Sequence, residues 1–135
     1  MARKKSTEKK LTSLETLIMN VLWDESPASV MQVRERLESV KPMARNTVLT
    51  VMRILRDKGF LTSEREGRAD YYRPTVTRED AGRRSLSELI DSFFSGSAEA
   101  LVSQLLDGQS LSDEELTAIR AELERTMARR EGSKR

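Results

Sequence analysis

Residues 44–61 read ARNTVLTVMRILRDKGFL, and the way this stretch divides into two faces decides the fold. Val48, Val51, Met52 and Leu55 recur at helical spacing and form one apolar stripe. Asn46, Thr47, Thr50, Arg53 and Asp57 fall on the other side, with Arg45 just ahead of them. Lys58-Gly59 then supplies a basic last turn and a glycine stop. A single helix therefore offers one face to a core and a second face of short polar groups and arginine to something else.

Upstream, Thr12 and Glu15 form a T-x-x-E capping box. Leu14, Leu17, Ile18, Val21 and Leu22 follow as a helical stripe, which Trp23 ends and Asp24-Glu25-Ser26-Pro27 breaks. Ser29 and Gln32 make a second cap pair, and Val30, Val33 and Leu37 space a short helix that stops near Pro42. Downstream, β-prone Phe60–Ser63 and Tyr71–Arg73 flank the polar segment EREGRAD, with Gly67 available for a turn. Three short helices followed by a hairpin predict a winged helix-turn-helix. Trp23 is expected to anchor the core, and Tyr71 and Tyr72 to brace the hairpin.

Past Pro74 the pattern changes. Thr77 and Asp80 start a long helix carrying Leu86, Leu89, Ile90, Phe93 and Phe94, and Ser95-Gly96-Ser97 interrupts it. Leu101, Val102, Leu105 and Leu106 form the next stripe, closed by Gly108. Ser112 and Glu115 cap a last helix with Leu116, Ile119 and Leu123. These helices have stripes but little to fold around, and a core this small is better stabilised by a second copy. The fold expected is mainly α with a small β-hairpin: a winged helix-turn-helix followed by a helical dimerisation region. Its parts are a basic disordered arm (1–10), a DNA-binding winged helix (11–75), a dimerisation domain (76–128) and a flexible tail (129–135). Leu86, Leu89, Ile90, Phe93, Leu101, Leu105, Leu116, Ile119 and Leu123 are the expected homodimer contacts.

Composition narrows the function. The 135 residues are 37% hydrophobic, 34% charged and 4% aromatic, with no cysteine and no histidine. Disulfides, thiolate chemistry, Cys/His zinc sites and a Ser-His-Asp triad cannot be built from such a chain. The acidic run Asp113-Glu114-Glu115 sits where a helix dipole favours carboxylates. No phosphate-binding glycine loop is present, so neither an enzyme nor a cofactor or metal site is expected. No apolar run reaches the roughly 18 residues of a membrane span, and the chain reads as cytoplasmic. Residues 1–75 hold 15 basic and 10 acidic side chains, whereas residues 76–135 hold 9 and 12. The front half is therefore net positive and the rear half net negative, which suits a polyanionic partner for the first.

That partner is expected to be double-stranded DNA. The second helix of a helix-turn-helix enters the major groove N-terminal end first. Thr47 and Thr50 can bond base edges or touch a thymine methyl, Asn46 can pair with adenine, and Arg45 and Arg53 with guanine, while backbone N–H groups at the helix start can meet a phosphate. Arg68 at the hairpin tip can reach a backbone phosphate, and Lys4, Lys5 and Lys9 add salt-sensitive attraction. A polar helix face alone is what any exposed helix presents; the neighbouring helix and hairpin favour DNA. The alternative is a winged-helix protein-interaction module that never touches DNA.

The run TSLETLIMNVLWDESPASVMQVRERL (residues 12–37), followed by NTVLTVMRILRDKGFLTSEREGRADYYRP (residues 46–74), resembles the penicillinase and methicillin-resistance repressors, a family that also includes copper-responsive repressors. The similarity spans roughly residues 11–125. It implies a bacterial transcriptional repressor that binds a palindromic operator as a homodimer and blocks transcription. By the same resemblance Thr47 and Thr50 fall where the recognition helix meets base edges. Asn46 stands where relatives often carry Lys, and Leu49 where penicillinase repressors carry Arg. Those repressors are inactivated by cleavage of an Asn-Phe bond in the dimerisation region; Gln104-Leu105 stands there in this chain. The Cys cluster of the copper-responsive relatives is missing.

Overall fold

A computed structural model describes residues 10–108 and 110–134. The arm expected over residues 1–10 lies, except for Lys10, outside the described residues. Helix α1 runs Ser13–Asp24 and opens with the reciprocal box that the sequence predicts. The Glu15 backbone N–H donates to Thr12 Oγ1 at 3.1 Å, and the Thr12 N–H donates to Glu15 Oε1 at 2.9 Å. Helix α2 (Val30–Leu37) repeats the device with Ser29 and Gln32. Each box satisfies two of the N–H groups that a helix start leaves without partners.

Helix α3 spans Arg45–Asp57 and buries Val48, Val51, Met52 and Leu55. Its exit is a Schellman motif: Phe60 N–H reaches back to Leu55 O at 2.9 Å, and Gly59 N–H to Arg56 O at 3.0 Å. Gly59 takes φ +92°, a conformation that a Cβ resists. Phe60 and Leu55, the apolar pair that accompanies this motif, are both buried. Lys58 does more than complement the helix dipole. Its Nζ crosses to α1 and donates to both Glu15 oxygens at 2.8 and 2.9 Å, in an ion pair largely shielded from water. Glu15 is thus a cap and a buried counter-charge together.

The hairpin is more extended than the β-prone residues alone suggest. Strand β1 covers Leu61–Glu66 and β2 covers Ala69–Pro74, paired antiparallel from Leu61↔Pro74 to Glu66↔Ala69. Only Gly67 and Arg68 remain for the turn, and Gly67 supplies φ +65°. Polar Glu64, Arg65 and Asp70 join the ladder because backbone pairing on an exposed ribbon does not need apolar side chains. Ala28 adds an isolated bridge to Tyr72, with N–H···O distances of 3.0 and 2.8 Å, tying the α1–α2 connection to the hairpin. Ile18, Met19, Leu22, Val33, Val48, Met52, Leu55 and Tyr72 form the dry centre of this unit. It is a winged helix.

Helix α4 (Arg78–Phe94) starts where Thr77 Oγ1 accepts from Asp80 N–H at 3.0 Å. Its first turns belong with the winged helix. Trp23 Nε1 donates to Val76 O at 2.9 Å, Arg78 reaches Asp24 at 2.9 Å and lies over the Trp23 ring, and Ala81 is buried. The first compact unit accordingly extends to Glu88, beyond the boundary expected after residue 75.

The second unit comprises Leu89–Arg135. Ser95 (φ +50°) and Gly96 (φ +82°) turn the chain, and Ser97 caps α5 (Ala98–Asp107). Ser112 caps α6 (Asp113–Ser133) through Glu115 N–H. The last helix corrects the expected tail: residues 129–133 are helical. Ala128, Arg129, Arg130 and Glu131 are good helix formers, and arginine near a C-terminus opposes the dipole. On the same helix Arg125 donates to Glu122 and holds its carboxyl below the usual carboxylate range. No described residue from Leu89 onward is buried.

Leu55→Ala is expected to destabilise the winged helix by about 3 kcal/mol, the usual cost of emptying a filled leucine site. Urea unfolding checks this, and an unchanged midpoint would show that α3 does not hold the core together.

Candidate nucleic-acid interface

The starts of α2 and α3 differ in how they are capped. Ser29 closes α2, whereas Ala44 at the start of α3 brings no side chain to accept a hydrogen bond. The leading N–H groups of α3 therefore face outward without a side-chain cap, beside Arg45, Asn46 and Thr47. All three residues are exposed, as are Thr50 and Arg53. Because Val48, Val51, Met52 and Leu55 are held in the core, the polar face cannot rotate inward.

The exposed residues separate into two rows. Arg45, Leu49 and Arg53, spaced i, i+4, i+8, line a groove of about 190 Å³. Its other walls are the start of α2 at Ser29–Met31 and the hairpin, through Arg65, Arg68, Asp70 and Tyr72. Asn46, Thr47 and Thr50 lie outside the groove, exposed on α3. Of the six residues singled out in the sequence, Arg45, Arg53 and Arg68 are thus brought together, and the three shorter side chains form a separate exposed row.

Charge is concentrated in the groove. Arg65 lies 3.4 Å from Asp70, an exposed and weak pair. Arg45, Arg53 and Arg68 form no ion pair with any described residue. Four guanidinium groups face one carboxylate across a small recess.

Sequence reasoning missed two contributors. A third, Arg65, reads with Arg68 as part of a basic hairpin tip around Gly67, although the neighbouring acids dilute that signal. Tyr72 is fully buried and its hydroxyl lacks a hydrogen-bond partner among the described residues. The start of α2 is brought in by the Ala28–Tyr72 bridge, a one-residue pairing with no periodicity to betray it. Leu49, by contrast, is half-buried and packs against the core, so its position serves the hydrophobic cluster as well as the groove.

In the second unit, Leu89, Phe93, Leu105, Leu116, Ile119 and Leu123 are exposed, Phe93 at 77%, while Ile90 and Leu101 are half-buried. Leu86, on the part of α4 that belongs to the first unit, is also exposed. A cleft of about 550 Å³ lies among Leu89, Phe93, Phe94, Leu101 and Leu105. The Gln104-Leu105 bond sits inside α5. Among the described residues no helix is long and apolar enough to cross a membrane.

Residues 11–125 match the family described as penicillinase repressor. The penicillinase repressor of Bacillus licheniformis is 25% identical over 109 residues, covering 81% of this chain and 85% of that protein. The methicillin resistance regulatory protein MecI of Staphylococcus aureus (strain N315) is 24% identical over 110 residues, covering 82% and 89%. Among solved structures, the complex structure of hsRosR-S4 shares the fold with a TM-score of 0.51 at 20% identity, over 76% of this chain and 93% of that one.

Proposed function

The chain belongs to the penicillinase repressor family, and from that premise we propose that it represses transcription by holding operator DNA against the outer side of α3 and the wing. The relatives at 25% and 24% identity are named as a penicillinase repressor and a methicillin resistance regulator. One observation carries the reading to these residues: a core-locked helix exposes Asn46, Thr47 and Thr50 beside a groove rimmed by Arg45, Arg53 and Arg68.

In this reading α3 enters the major groove. Thr47, Thr50 and Asn46 meet base edges, Arg45 and Arg53 meet guanine edges or flanking phosphates, and Arg68 on the wing holds the backbone. The protein works in the cytoplasm, and its activity is binding, not catalysis. Blocking a promoter requires occupancy alone.

We also propose that the working species is a homodimer on a palindromic operator. Residues 11–75 do the DNA binding and residues 76–128 the pairing. Leu89, Phe93, Leu105, Leu116, Ile119 and Leu123 leave apolar surface exposed, more than a lone unit of this size sustains comfortably. Ile90, Leu101 and Leu86 extend the same stripes. A twofold pair then presents two recognition helices one duplex turn, or a multiple of it, apart.

Two substitutions test this. Thr50→Ala with Arg53→Ala is expected to cost about 1–3 kcal/mol per lost base contact. A mobility-shift titration on a duplex selected from random sequence reads the loss, and unchanged affinity would reject the α3 assignment. Leu116→Asp is expected to shift the protein toward monomer in sedimentation and to weaken DNA binding with it. A dimer that survives the charge would move the interface elsewhere. Wild-type affinity is also expected to fall steeply with salt, with a slope of about −0.9 per neutralised phosphate; a protein-interaction module shows no such duplex binding.

A further inference from the structure

We propose that Arg78 is a positioning residue for operator recognition: it straps the start of α4 to α1 and so fixes which half-site spacing the dimer accepts, a refinement that rests on the dimeric-repressor reading.

Helix α4 runs unbroken from Arg78 to Phe94, and the boundary between the two units falls within it, after Glu88. In the dimer, α4 is the covalent path from each DNA-binding head toward the pairing helices. Its hold on the head is short. Trp23 Nε1 donates to Val76 O at 2.9 Å just ahead of the helix, and Ala81 is buried. Between these two points Arg78 reaches back to α1. Its Nη2 donates to Asp24 Oδ1 at 2.9 Å and its Nε to Asn20 Oδ1 at 3.3 Å, with the guanidinium carbon 5.6 Å from the centre of the Trp23 ring. From Gly82 to Ser87 every residue is exposed.

One hydrogen bond and one buried methyl group pin the base of α4 but set its direction loosely. Packing does not supply the rest. A hollow of about 330 Å³ lies between α1 and α4, bordered by Leu11, Thr16, Trp23, Gly82 and Ser85, and nothing stands within 4 Å of the place where a Gly82 Cβ would be. Arg78 is the tie across that open side. Helix stability does not explain an arginine there, because a cation in the first turn opposes the dipole. Nor does ion-pair strength, since both partners are exposed and such pairs add little to stability. A rigid planar fork held on Asn20 and Asp24, one helical turn apart, does give direction. Leverage makes that direction matter. From Ala81 to the end of α4 is about 20 Å of helix, so a tilt of about 10° at the base moves the far end by about 3 Å, close to the roughly 3.4 Å rise of one base pair.

Arg78→Ala and Asp24→Ala release the strap from its two sides. Mobility-shift titrations test both on a duplex recovered from random sequence, on the same duplex with one base pair added or removed between its half-sites, and on a single half-site. The changed spacing is expected to weaken the wild type at least tenfold and either variant no more than threefold. Single-half-site affinity, dimerisation in sedimentation and the urea midpoint are expected to stay at wild-type values. The proposal is overturned if the variants keep the full spacing penalty, or if the wild type is indifferent to spacing. It is equally overturned if the variants lose stability, half-site affinity or dimerisation, which would make Arg78 a support of the fold instead. A wild type that is monomeric or binds no duplex removes the dimeric-repressor reading, and the role of Arg78 with it.

Discussion

Helix α3 is asked to satisfy two neighbours at once. Its apolar side fills the centre of the winged helix, and its polar side must stay in water until DNA arrives. Burial of Val48, Val51, Met52 and Leu55 is worth about 1.5–3 kcal/mol for each side chain. A base contact of the kind proposed for Thr50 or Arg53 is worth about 1–3 kcal/mol. The core as a whole therefore outweighs any single contact, and it sets the orientation of the reading face before a ligand is present. The Schellman exit at Gly59 and the Lys58–Glu15 ion pair fix the far end of the same helix against α1. Preorganisation of this kind lowers the ordering cost of binding.

Much of this was legible because local rules and global packing agree. The Thr12/Glu15 and Ser29/Gln32 boxes announce two helix starts, and both form. The Gly59 stop and the Gly67 turn fall where a positive φ is needed. Residues that failed to announce themselves act across the chain. Lys58 reads as a dipole partner but spends its charge on Glu15, 43 positions away. Arg78 reads as the opening of a new domain but is bound to Asn20 and Asp24 of α1. The helix over residues 129–133 was missed because a polar segment without an apolar stripe resembles a tail, although its helix propensity is high.

The site shows the same division. That Arg45, Asn46, Thr47, Thr50 and Arg53 lie on the exposed side of α3 follows from helical periodicity. That Arg45, Arg53 and Arg68 share a wall with Arg65 and Tyr72 depends on the register of the hairpin and on the Ala28–Tyr72 bridge. Neither is encoded in a local pattern. Leu49 illustrates how one position can change service: where the resemblance to penicillinase repressors leads one to expect an arginine, this chain places a leucine that packs on the core cluster. The basic rim is then supplied from the helix positions one turn before and after it, and from the wing. The exposed apolar stripes beyond Leu89 are the surface on which the proposed pairing rests.

Amide chemical shifts of the full chain, recorded with and without a duplex recovered from random sequence, bear most directly on the central claim. Large shifts are predicted at Arg45, Asn46, Thr47, Thr50 and Arg53 and at the Gly67-Arg68 turn, with Val48, Met52 and Leu55 keeping their core environment. Shifts concentrated elsewhere, with the amides of residues 45–53 unmoved at saturation, would contradict it.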